Sequence, residues 1–128
     1  MWRWIRAIFS GEGRDAAASE RLWAVRARCV ANPRLVLVHV VEVYQEARDG
    51  SKATVIHDDT GRAQDTWFEG MRPVLGSSYL VQRCDEWGEH NRNPHVLYVH
   101  RVYAWLPPGT WQAAYRHDQR AQKSAPAA

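Results

Sequence analysis

The 128-residue sequence predicts an α+β fold: a small five-stranded antiparallel β-barrel or a strongly curved sheet, flanked by an N-terminal and a C-terminal helix. Three observations lead there. The stretch from Leu35 to Trp105 is rich in β-branched and aromatic residues and is broken at intervals by turn signals. The segments on either side place apolar residues at helical spacing. Composition is that of an ordinary globular chain, 45% hydrophobic and 24% charged, at a length that buries a core without staples.

The first element is Met1–Ser10, MWRWIRAIFS. It puts Trp4 or Ile5 with Ile8 and Phe9 on one side of a short helical turn and Arg3 and Arg6 on another. Gly11-Glu12-Gly13 should interrupt it, because glycine is costly inside a helix. Ala18, Leu22, Val25 and Cys29 then fall on one helical face. Asp15 is the expected N-cap, and Asn32 the expected stop, since proline at 33 disfavours α geometry in the residue before it. Trp23, Val25, Ala27 and Cys29 also alternate as a half-buried strand would; the wealth of Ala, Arg and Leu favours the helix.

From Leu35 the texture changes. Residues 35–44 (LVLVHVVEVY) read as a long strand, 48–51 as a turn and 52–57 as a second strand. Residues 58–61 (DDTG) make a second turn and 62–68 a third strand, with Asp and Gly supplying the tight-turn chemistry. After a connection, residues 77–84 form a fourth strand, 85–94 a polar loop and 95–105 (HVLYVHRVYAW) a fifth, apolar or amphipathic on both faces. Thr110 caps a last helix over Trp111–Lys123. The expected organisation is one domain in three parts: a basic helical segment 1–34, a β-region 35–106, and a helix with a tail 107–128. In strand order and length alone, the middle resembles an OB-like barrel. A curved sheet backed by the N-terminal helix, in the manner of nuclear-transport-factor-like folds, is the alternative.

Charge is unevenly placed. Residues 1–34 hold seven arginines against three acids, residues 35–105 hold seven basic against ten acidic side chains, and residues 106–128 three against one. The pI near 9.1 therefore comes from the two ends. Cys29 and Cys84 form no CxxC pair and read as free thiols. Neither a secretory leader nor a membrane-length apolar run is legible, so the expected location is intracellular, soluble or within a larger assembly.

Catalytic and metal chemistry find little footing. The six histidines include no HxH or helical HxxxH pair, and His95 and His100 would point to opposite faces of a strand. Ser77 and Ser78 follow Gly76 without a nucleophile-elbow pattern, and no glycine-rich phosphate loop exists. No catalytic residue, metal or cofactor is assigned.

The seven tryptophans point to interfaces instead. The expected function is a non-catalytic interaction or assembly protein that docks its basic, Trp-bearing ends to an acidic protein partner or multi-subunit complex. Trp2, Arg3, Trp4 and Arg6 are the N-terminal anchors, and Trp87 with Arg92 a second patch. Two arginines on one short turn give at most weak contact with a membrane surface. The alternative is a single-stranded nucleic-acid binder with Lys52, Arg62, Trp67, Phe68, Trp87, His90 and Arg92 on the barrel face. The acidic middle of the chain counts against it, because phosphate contacts need clustered Lys and Arg.

Overall fold

The computed structural model describes residues 11–83 and 95–124. Helix α1 spans Gly11–Ala31 and helix α2 Thr110–Ser124. Between them run β1 (Leu35–Ala47), β2 (Gly50–His57), β3 (Ala63–Glu69), β4 (Ser78–Gln82), β5 (Leu97–Val99) and β6 (Ala104–Leu106). The six strands form one sheet in the order β5-β3-β2-β1-β4-β6, antiparallel except for the parallel β3–β5 pair. The fold is α+β with a strongly curled half-barrel sheet, as the sequence predicts, but with six strands in place of five.

The sixth strand comes from the stretch expected as one continuous element. Residues 95–105 divide into β5 at one edge of the sheet and β6 at the other. Five residue steps separate Val99 from Ala104, which reach about 17 Å at most. Six strands laid flat would set the edges about 24 Å apart. The sheet must therefore curl. Phe68 on β3 and Tyr79 on β4 confirm the direction: two strands lie between them, yet their ring centroids are 5.6 Å apart. That face is the inside, filled by Val36, Val38, Val40, Val55, Phe68, Val81 and Val99, with Val102 of the crossing segment packed against it.

Strand β1 shows how the curl is built. Its register with β2 skips Val41 and Tyr44, two bulges that bend and twist the strand. Both skipped residues are exposed despite being apolar. Gly50 opens β2 where no side chain fits, since an added Cβ would lie 2.4 Å from the Phe68 carbonyl oxygen and 2.6 Å from the Trp67 ring.

On the outer face, α1 and α2 cover part of the sheet. Leu22 and Val25 of α1 and Ala114 of α2 meet Leu35, Leu37, Leu80 and Leu106 in a second core. Residues 21–30 are thus helix, not strand. Asn32 stops α1 as expected, its side-chain oxygen accepting the Arg34 N–H. The expected break is corrected: Gly11, Glu12 and Gly13 lie in helical conformation within α1. Asp15 is not the N-cap; it lies buried within the helix and binds α2. No helix among the described residues is long and apolar enough to cross a membrane.

Candidate functional site

The two basic ends of the sequence meet. α1 and α2 pack side by side on the same outer face, so residues 95 to 105 positions apart meet in one layer. Asp15 fastens them, accepting from Arg116 (3.1 and 3.2 Å) and from Arg120 (2.8 Å). Hydrogen bonds from Arg116, then Arg120, hold its carboxyl below the usual range. Asp118 makes a second tie, accepting from Ser19 Oγ at 2.7 Å and from Trp23 Nε1 at 3.2 Å.

Trp23 is the exposed centre of this seam. Its side chain is 56% exposed, and the Arg26 guanidinium lies 4.7 Å from the ring centroid. Arg26 is itself fixed, with Nε and Nη2 each 2.8 Å from the two oxygens of Asp58 in the β2–β3 turn. The indole is thus anchored at its N–H and stacked on one side while much of it faces solvent. Tyr115, one turn before Asp118 on α2, is 62% exposed.

Below the seam lies a buried polar chain. Asp58 Oδ1 is 2.9 Å from His39 Nε2, and His39 Nδ1 is 2.6 Å from Ser78 Oγ. Burial pushes the Asp58 carboxyl up, but hydrogen bonds from His39 and Arg26 outweigh it and bring its pKa to about 2. An ionised carboxylate only accepts, so His39 Nε2 donates to Asp58, and Nδ1 faces the Ser78 hydroxyl. This hydroxyl–imidazole–carboxylate order is that of an activated serine, with the two ring nitrogens exchanged. Access is what it lacks: Ser78 is fully buried, and the Trp111 indole lies parallel over the imidazole at 4.0 Å. In this arrangement no substrate reaches the oxygen, and the chain ties β1, β4 and the β2–β3 turn beneath the helices.

Of the residues singled out from sequence, Trp2, Arg3, Trp4, Arg6, Trp87, His90 and Arg92 lie outside the described residues. The other four do not form one surface. Lys52 and Trp67 are cross-strand partners on the outer face, and Arg62 sits exposed at the turn end of β3. Phe68 is corrected: it points the other way, fully buried in the inner core, where no base can stack on it. Around Lys52 the outer face carries Glu42, Asp65 and Glu69, the last accepting the Trp67 N–H. Among the described residues no three His, Cys, Asp or Glu side chains cluster as metal ligands. Cys29 is a free thiol, half-buried, and burial pushes its pKa up.

Sequence reasoning passed over Trp23, Arg26 and Asp118, which no spacing rule joins. His39 left a trace: it is the polar interruption of the Leu35, Leu37 row within an apolar run. Compared with known protein families, with curated proteins and with solved structures, the chain matches none.

Proposed function

We propose that this protein is a non-catalytic interaction module that docks its helical layer onto an acidic protein partner within a larger assembly. One observation carries the reading: Trp23, exposed yet held by Arg26 and Asp118. Trp and Arg dominate binding hot spots, and an anchor already fixed in place loses little freedom on association. Charge supports the acidic partner. α1 and α2 together carry seven Lys/Arg against four Asp/Glu, whereas the outer face of β2 and β3 carries Asp65 and Glu69 against Lys52. The expected terminal anchors Trp2, Arg3, Trp4 and Arg6 precede α1 directly and extend the same basic segment. Binding single-stranded nucleic acid on the sheet is the weaker reading, because Phe68 is buried and the surrounding charge repels phosphate.

The test is fluorescence anisotropy of two labelled probes, poly-L-glutamate and a single-stranded oligonucleotide, each at low and high salt. Poly-L-glutamate should bind, and Trp23→Ala should weaken it by about 2 kcal/mol, roughly 30-fold, the scale of a hot-spot residue. Oligonucleotide binding that is steep in salt and survives Trp23→Ala would reject the proposal. Removing Met1–Ser10 measures what the terminal tryptophans add.

A further inference from the structure

Helix α1 has three working flanks. Leu22 and Val25 face the sheet, and Asp15, Ser19 and Trp23 face α2. The flank opposite α2 carries Arg14, Ala17, Arg21, Ala24, Arg28 and Ala31. These positions recur by threes and fours, the a and d spacing of a seven-residue repeat, with arginine at every a and alanine at every d. A rise of about 1.5 Å per residue sets the arginines about 10.5 Å apart in one row.

All three arginines are exposed, and none takes part in an ion pair among the described residues. Arg28 donates to the Tyr103 carbonyl at 3.2 Å, which orients the guanidinium without neutralising it. The alanines between them end at Cβ, so a second helix can approach to the short end of the 8–10 Å range for packed helices. Alanines alone would suit any helix. The arginine row fixes the sign of the partner.

We propose that this flank docks an α-helix of an acidic partner protein whose carboxylates repeat every seventh residue. The proposal rests on reading the helical layer as the docking side and names what lies against it. A β-strand shows one face every second residue, about 6.7 Å, which does not match the row. Phosphates of a nucleic-acid strand are spaced more closely still, and they favour clustered cations. Glu20, exposed and next to Arg21, opposes them further.

The experiment titrates the full chain into three labelled probes and reads anisotropy. The first probe is a helical peptide with Glu at a and Ala at d over three heptads. The second is an isomeric peptide of the same composition with Glu every fifth residue, and the third a single-stranded oligonucleotide of equal charge. The heptad peptide should bind at least ten-fold more tightly than its isomer. Arg21→Glu should erase that ratio with the circular dichroism of the fold unchanged, and Arg21→Ala should reduce it. Trp23→Ala should leave the ratio in place, whatever it does to overall affinity. Equal binding of the two peptides overturns the helix proposal and leaves the wider docking reading standing. Absence of binding to either peptide, or tighter binding of the oligonucleotide, overturns both.

Discussion

The two halves of β1 are built for different surroundings. Leu35–Val40 is buried on both faces, between the inner core and the helices, while Val41–Ala47 is largely exposed. The first half holds His39 and lies over the Asp58–Arg26 pair; the second carries the two bulges and faces solvent beside acidic side chains. One strand thus joins a sealed, cross-linked region under a basic layer to a more exposed, negatively charged stretch of sheet. The difference teaches where rigidity is placed: the polar chain holds the floor on which Trp23 and Arg26 stand.

Substitutions that separate the halves should differ most in the core. Leu37→Ala, under the helices, should cost about 3–4 kcal/mol, the range for a leucine cavity. Ile56→Ala, only half-buried on the same face, should cost about 1 kcal/mol. Urea unfolding at unchanged slope measures both, and equal costs would erase the distinction.

Next is Asp58→Ala, which strands Arg26 and His39 and should cost about 3 kcal/mol, as breaking a largely buried pair does. The same variant should loosen Trp23, read as increased acrylamide quenching in a background where the other tryptophans are Phe.

A smaller effect is tied to pH. Asp58 has a folded pKa of about 2, below its ordinary 3.8, so it stabilises the fold above pH 4 and loses that contribution as pH falls towards 2. The expected loss is about 2 kcal/mol, and Asp58→Asn should flatten that part of the stability profile. Least of all should be Lys52→Ala, exposed on β2, within about 0.5 kcal/mol by thermal melting.

Much of this was legible in the sequence, for physical reasons. The β-branched run from Leu35 and the Asp/Gly turns specify local geometry, so the first four strands and the helix across residues 21–30 follow from pattern. Where one residue serves distant partners, pattern fails. The alternation in His95–Trp105 describes a strand but not which edge it joins, and here it joins both. Asp15 has the chemistry of a cap, and only the packing of α2 reveals that it serves two arginines about a hundred positions away. The candidate site is harder still, since Trp23, Asp58 and Asp118 come from three separate elements.

The central claim is that the helical layer, not the sheet, does the binding. Amide NMR mapping of the full chain during titration with the heptad-glutamate peptide tests it most directly. The account predicts that shifted resonances fall on α1, around Arg14, Arg21 and Arg28, with β2 and β3 unmoved. Shifts gathered on Lys52, Trp67 and their strand neighbours, with the helices silent, would contradict it.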